Sequence, residues 1–171
     1  MALIRLNAQS APANTFGGGK VLQVVHAGDF AEESHNVSAN TPVATNMTAT
    51  ITPTDATSKI LITYTICTAG NSTGAALGTL HMVYHDIGQT GTDTAMSSKF
   101  FGARTGQYSN YQMVSTIGHI EHDHNTTSAI DYTVYVSNTD AMSIMVNRGG
   151  SNSNINGKDG YGSITLMEIS Q

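Results

Sequence analysis

The stretch Ile60-Leu61-Ile62-Thr63-Tyr64-Thr65-Ile66 decides the fold class of this chain. Its even-numbered positions are apolar or aromatic, and Thr63 and Thr65 lie between them. Because successive side chains of a strand point to opposite sides, this alternation predicts a strand with one side in a core and the other side wet or against a partner. The helical period is missing throughout the chain, so the sequence predicts an all-β protein.

Similar alternation recurs along the chain and predicts about eight strands in all. The runs that show it are 21–26, 47–51, 60–66, 80–84, 113–117, 132–136, 142–146 and 164–166. In two of these runs we expect the apolar side of the strand to carry Leu80, Met82 and Tyr84, and Met113, Ser115 and Ile117. Gly, Pro, Asn, Asp and Ser separate the runs, as turns require. The expected fold is an antiparallel β-sandwich of jelly-roll type.

The N-terminal residues differ from the rest of the chain. A short apolar cluster is followed by a linker rich in Ala, Asn, Pro and Gly, which predicts an arm and hinge over 1–19 and one head domain over 20–171. Fully extended, the arm reaches up to about 60 Å, so it can lie on a neighbouring subunit or return to its own head. Its apolar side chains need a dry surface, and the candidate partner-binding residues are Leu3, Ile4, Arg5 and Leu6.

Composition excludes several classes of partner. The net charge is -5, and the seven Lys and Arg residues are scattered, which argues against binding a nucleic-acid backbone. No apolar stretch approaches the roughly 20 residues of a membrane-spanning helix, so we expect no membrane partner. Cys67 is the only cysteine and lies in an apolar run, which predicts a buried thiol and excludes an intrachain disulfide.

Four stretches carry a resemblance to a known family: 19–25, 51–61, 125–134 and 164–169, with sequences GKVLQVV, ITPTDATSKIL, NTTSAIDYTV and ITLMEI. They resemble small structural proteins of tailed bacteriophages, described as tail-fibre or minor virion proteins, whose domains are similar to trimeric jelly rolls of the C1q and tumour-necrosis-factor type. The resemblance runs from about residue 19 to the end. It implies a homotrimer that is located in the virion after assembly in the host cytoplasm.

The histidine-rich stretch His119-Ile120-Glu121-His122-Asp123-His124 departs from that family pattern. On a strand, His122 and His124 share one side, and two imidazoles are too few for a metal site. We therefore expect no metal and no other cofactor. Three chains around a trimer axis would triple the imidazoles, so His122 and His124 are the candidate metal ligands, with a polar strand end or a subunit contact as the alternative.

The segment from Arg104 to Tyr111 has the composition of a binding loop. Tyrosine offers rigid contact area, and Ser, Gly and Asn adapt their hydrogen bonds. The candidate receptor or partner residues are Arg104, Tyr108, Asn110 and Tyr111; the alternative is an ordinary turn with its tyrosines packed at the end of the sandwich. The sequence contains no Gly-x-Ser-x-Gly elbow and no carboxylate pair assignable to a cleft, so we expect neither catalytic residues nor enzyme activity.

Two functions remain. The first is a trimeric capsid decoration, or cement, protein that binds the major capsid protein through its arm and stabilises the shell. The second is a short tail fibre or receptor-binding tip that docks to a tail protein and recognises a host glycan or protein. We favour the first because nothing in the sequence resembles the coiled coil, collagen repeat or β-helix of a fibre shaft.

Overall fold

The computed structural model describes residues 19–28, 30–71, 77–96, 101–105, 113–147 and 161–171. These residues form strands and connecting segments, with no helix among them. The strands are β1 (Val21–Gly28), β2 (Glu33–Val37), β3 (Val43–Ile51), β4 (Lys59–Asn71), β5 (Leu77–Ile87), β6 (Thr94–Ala95), β7 (Phe101–Thr105), β8 (Met113–Asp123), β9 (Ile130–Ser137), β10 (Met142–Val146) and β11 (Ser163–Ile169). No helix in this part of the chain is long and apolar enough to span a bilayer.

The strands form two antiparallel sheets. Sheet 1 contains β1, β2, β4, β8, β10 and β11, and sheet 2 contains β3, β5, β6, β7 and β9. In sheet 1, β10 and β11 lie end to end along one edge of β4, because Val146 pairs with Thr68 and Ser163 pairs with Thr65. The other edge of β4 pairs with β8 along its length.

In two further places, two strands lie end to end and together fill the place of one strand in the sheet, which we call a strand position. In sheet 1, β1 pairs with β11 and β2 pairs with β10, so these two strands also lie end to end. In sheet 2, β6 and β7 share one edge of β5, while β9 occupies its other edge. The eleven strands of the described residues therefore occupy eight strand positions. The eight predicted runs do not match these positions one for one, because the runs 142–146 and 164–166 share one position and no run was predicted for the position of β6 and β7.

The order of the eight positions identifies the fold. The first position, β1 and β2, pairs with the last, β10 and β11, and the second, β3, pairs with the seventh, β9. The third, β4, pairs with the sixth, β8, and the fourth, β5, pairs with the fifth, β6 and β7. This nested pairing across two sheets is that of a jelly roll, which confirms the predicted fold class.

The core lies between the sheets and follows the predicted alternation on most strands. Ile60, Ile62, Tyr64 and Ile66 of β4 are all between 0 and 1% exposed. The apolar sides of β3 and β9 face them from sheet 2, and those of β10 and β11 lie beside them in sheet 1. The fully covered members of these four strands include Met47, Ile51, Ile130, Tyr132, Val134, Val136, Ile144, Val146, Ile164 and Leu166. The Cys67 thiol is buried, as the sequence predicted, and burial raises its pKa.

On β5 the predicted side of the strand is wrong. His81 is fully buried and lies against Thr68 of sheet 1, and Val83 belongs to the core cluster. Leu80 and Tyr84, which we expected on the apolar side, are half-buried on the outer side of sheet 2. Met82, the third residue expected there, is buried at 6% exposure but does not belong to the core cluster. The side chains on the outer side pack on each other, since Tyr84 stacks on Tyr135 of β9, and this contact accommodates apolar residues outside the core.

On β8 the predicted side of the strand is also wrong. Ile117 is 70% exposed, whereas Gly118 is buried and Ile120 packs against the core. Gly118 pairs with Tyr64, and a Cβ at position 118 would lie 2.1 Å from the Tyr64 ring. The glycine therefore provides the space for a large core side chain, and this requirement fixes which side of β8 faces inward.

Candidate functional site

Most residues predicted to bind a partner lie outside the described part of the chain. This holds for the arm residues Leu3, Ile4, Arg5 and Leu6 and for the loop residues Tyr108, Asn110 and Tyr111. Arg104 lies in β7, where it pairs with Gly78 of β5. The proposed roles of these residues stay predictions.

The structure brings His122 and His124 together and adds a third histidine from the other sheet. Their ring centroids are 6.4 Å apart, although β8 ends at Asp123 and His124 belongs to the segment that follows it. The ring of His85, on β5, lies 4.4 Å from that of His122. We call His85, His122 and His124 the histidine cluster; it connects sheet 1 to sheet 2 inside the sandwich.

Each member of the cluster has a different set of polar contacts. His122 Nδ1 lies 2.8 Å from the Tyr132 hydroxyl, whereas His85 Nδ1 is buried with no hydrogen-bond partner. His124 is buried, with Nε2 3.1 Å from Ser58 Oγ. Among the described residues, no three His, Cys, Asp or Glu side chains are placed to hold a metal ion. Metal binding by His122 and His124 in a trimer stays a prediction.

The surroundings of the cluster disfavour positive charge. Burial lowers the pKa of His122 to about 4, and repulsion from His85 and His124 acts in the same direction. Burial also lowers the pKa of His85, against the opposing influence of Asp86 and Asp93. At neutral pH these two rings are therefore uncharged, which suits their position between the sheets.

A buried carboxylate, Glu168, organises the same end of the sandwich. It is 0% exposed and lies on the core side of β11. Ser58 Oγ lies 2.7 Å from Glu168 Oε1, and Gln23 Nε2 donates to Oε2 at 2.6 Å. The backbone N–H groups of Thr54 and Asp55 also donate to Oε1, at 2.8 and 3.1 Å. The carboxylate thus fixes the segment between β3 and β4 to the sheet.

These hydrogen bonds determine the charge state of Glu168. Burial raises the pKa of the carboxyl, but the hydrogen bonds from Ser58, Gln23 and the Asp55 and Thr54 amides outweigh burial and lower the pKa to about 2. Ser58 also lies beside His124, so Glu168 and the histidine cluster form one polar network. Sequence reasoning missed this network. Its signal was a charged residue at a core position of the alternating run Ile164, Leu166, Glu168.

The first described residues, Gly19 and Lys20, lie against the end of β11. The Ser170 N–H donates to the Lys20 carbonyl and the Lys20 N–H donates to Ser170 Oγ, both at 2.9 Å. A Cβ at Gly19 would lie 1.9 Å from the Ser170 carbonyl oxygen. The chain therefore enters the head packed tightly against the end of β11, and glycine is required there.

Beside this point, the outer side of sheet 1 carries an apolar patch, defined as Leu22, Val24, Leu61, Met167 and Ile169. Val24 pairs with Met167, which pairs with Leu61, so the patch crosses three strands. Val24 is 56% exposed and Leu22 is 37% exposed. A pocket of about 260 Å³ opens at its end, lined by Gly19, Lys59, Leu61, Glu121, Ile169, Ser170 and Gln171.

The outer side of sheet 2 has a different character. The rings of Tyr84 and Tyr135 are stacked with their centroids 4.0 Å apart, and the Tyr135 hydroxyl donates to Asp93. Burial raises the pKa of Tyr135, and the hydrogen bond to Asp93 raises it further. Asp131 lies on the same side and accepts hydrogen bonds from Thr50 Oγ1 and from a side-chain amide of the β5–β6 connection. This side thus combines aromatic rings with carboxylates.

No protein-family model matches the sequence, and no curated protein matches it. Among solved structures, the chain is similar to one in the structure of infectious bursal disease virus, Gt strain, with 15% identity and a TM-score of 0.41 over 100% of this chain and 43% of that chain. For the Gx strain of that virus the identity is 14% and the TM-score 0.37, over 99% of this chain and 44% of that chain. This chain spans less than half the length of either, and a likeness this distant assigns neither family nor function.

Proposed function

We propose that the protein is a non-enzymatic structural component of a bacteriophage virion, a homotrimeric decoration protein that binds the capsid shell through its N-terminal arm. The observation that carries this proposal is the placement of the arm root, defined as Gly19 and Lys20. Gly19 and Lys20 are held against Ser170 at the edge of a sandwich whose interior is already filled by its own strands. The arm thus begins at the surface, with apolar side chains to place on another surface.

Self-association is supported by exposed apolar side chains at both edges of sheet 1. Ile117 on β8 is 70% exposed, and Val21 on β1 is 49% exposed. In the described residues no further strand pairs outside β8 or β1, so main-chain groups along these edges are open to another chain. Exposed apolar side chains at an open edge are suited to a contact between copies.

The mechanism that follows is bridging. A trimer presents three arms, and each arm can bind a different capsid subunit. Linked contacts act at high effective concentration, so several weak interfaces together give firm attachment. The shell is stabilised because its subunits cannot separate without breaking these contacts.

Removal of residues 1–18, with Gly19 retained, tests the proposal. The truncated head should fold and associate like the intact chain, but it should no longer sediment with shells that lack the protein. An Ile4→Asp variant of the full chain keeps the length of the arm but removes one apolar side chain, so it should also bind shells more weakly than the intact chain. Shell binding by the truncated head at the intact chain's level would refute the role of the arm.

The second candidate function is a short tail fibre or receptor-binding tip, and the outer side of sheet 2 favours it. A stacked Tyr84 and Tyr135 pair beside the Asp93 carboxylate offers an aromatic surface and hydrogen-bond acceptors, which suit the apolar faces and hydroxyl groups of a glycan. Copy number in purified virions distinguishes the two functions. Hundreds of copies per particle indicate shell decoration, and a handful indicates a tail organelle.

A further inference from the structure

The apolar patch on sheet 1 is exposed in the described structure, although covering apolar side chains would stabilise the folded protein. Its central members, Leu61, Met167 and Ile169, are only partly covered, and Val24 beside them is 56% exposed. The adjoining pocket, at about 260 Å³, lies below the roughly 300 Å³ at which small-molecule sites begin. It suits one or two aliphatic side chains.

The position of the arm root indicates what covers the patch. Gly19 itself lines the pocket, so the preceding 18 residues start at its rim. Their apolar cluster, Leu3, Ile4 and Leu6, lies at the far end of a linker of 12 residues, 7–18. Fully extended, such a linker spans about 40 Å, and its glycines permit a reversal of direction, so the cluster can return to the patch.

Charge at the rim of the pocket supports the same occupant. Lys59 Nζ lies 3.5 Å from Asp123 Oδ1 and 3.9 Å from Glu121 Oε2. One cation is thus shared by two carboxylates, which are 70% and 62% exposed, so this group of three side chains carries one surplus negative charge. Arg5, placed within the apolar cluster of the arm, supplies the balancing positive charge.

We propose that the apolar patch is the resting site of the chain's own arm, with Leu3, Ile4 and Leu6 on the patch and Arg5 at the acidic rim. A short covalent connection to the head gives an effective concentration on the order of mM, so the chain's own arm outcompetes the arms of other copies at roughly µM protein concentration. The role of this resting site in assembly rests on the proposed function. An arm held at home in the free protein is released when the shell offers a better surface.

Disulfide trapping in the free full-length protein tests this site without shells. In a Cys67→Ala background, Ile4→Cys is combined with Leu61→Cys, and mild oxidation is followed by mass analysis of proteolytic fragments. The matched control combines Ile4→Cys with Thr50→Cys, which is exposed on the outer side of sheet 2. We expect the first pair to cross-link within one chain at least about tenfold faster than the control pair, given the proximity of docked groups.

A second pair, Arg5→Cys with Glu121→Cys, tests the rim independently and leaves the apolar patch intact. Equal rates for the patch and control pairs would overturn the proposal. So would cross-links formed mainly between chains when separately tagged Ile4→Cys and Leu61→Cys proteins are mixed. These results are independent of shell binding, so a failure of the resting site and a failure of the decoration function remain distinguishable.

Discussion

His81 makes the stability of this protein sensitive to mild acid. Its side chain is fully buried, its Nδ1 has no hydrogen-bond partner, and its Nε2 lies 3.4 Å from Thr68 Oγ1. Burial lowers its pKa from 6.5 to about 4. Because the unfolded chain takes up a proton more readily than the folded one, the stability present above pH 6.5 is lost as the pH falls towards 4.

The size of this loss follows from the two pKa values. At pH 5 the unfolded state is almost fully protonated at this residue and the folded state is hardly protonated, which costs about 2 kcal/mol relative to pH 7.5. A His81→Leu variant removes the titrating group. The free energy of unfolding of this variant should therefore fall less between pH 7.5 and pH 5 than that of the wild type, by about 2 kcal/mol.

Urea unfolding at the two pH values, at one fixed protein concentration, measures this difference. The double variant His81→Leu with Thr68→Val removes the hydroxyl left without its contact and should show the same reduced pH dependence. His119→Leu is the matched control, because His119 is exposed on β8. An unchanged pH dependence in both His81 variants would refute the assignment of the acid sensitivity to this buried ring.

Three further predictions concern the packing of the head. Glu168→Gln places an amide donor among groups that donate to the carboxylate, so it should lower the free energy of unfolding by about 2 to 3 kcal/mol. Hydrogen exchange at the Thr54 and Asp55 amides should also become faster. Exchange at the wild-type rate would contradict this prediction. The stability that Glu168 contributes should be present above pH 4.5 and lost as the pH falls towards about 2, as acid unfolding of the same variant can check. Gly118→Ala should lower the free energy of unfolding by about 1 to 3 kcal/mol, because the added methyl group overlaps the Tyr64 ring. Thermal unfolding should show this as a lower melting temperature. An unchanged melting temperature would show that the ring has another position available.

The sequence predicted the fold class and eight of the eleven strands, because alternation of apolar residues is a strong signal over long runs. On β4, each apolar residue from Ile60 to Ile66 that was expected inside is inside. The three interrupted positions could not be predicted. In two of them, two strands share one edge of a single neighbour, and in the third β1 and β2 pair with β11 and β10. Only these pairings show that the two strands of each position belong together.

The inward sides of β5 and β8 were predicted wrongly for a common physical reason. Alternation assigns the more apolar set to the core, but here a neighbouring side chain decides. His81 and His85 face inward on β5 because they contact Thr68 and His122 of the opposite sheet. Gly118 faces inward on β8 because the Tyr64 ring occupies the space beside it. The hydrophobicity of the sequence alone predicts neither of these contacts.

The candidate site was predictable in part. The sequence identified the histidine-rich stretch and placed His122 and His124 together, and the structure adds His85, 37 residues earlier in the chain than His122, from the other sheet. Glu168 was visible as a charge at a core position, but its donors come from distant segments, Gln23 and 54–58. Their convergence on one carboxylate depends on the jelly-roll order of strands rather than on local sequence.

The unpaired polar groups in the interior and the exposed apolar patch both affect the stability of the isolated head. His81 Nδ1, His85 Nδ1 and the Tyr64 hydroxyl are buried without hydrogen-bond partners, and each such group costs about 1 to 3 kcal/mol. A net stability of only about 5 to 15 kcal/mol leaves little margin for several of them. Association that covers apolar surface adds stability by mass action, because the partner binds only the folded head. If the head assembles as proposed above, neighbours that bind only the folded head add stability to a core that contains these unpaired groups.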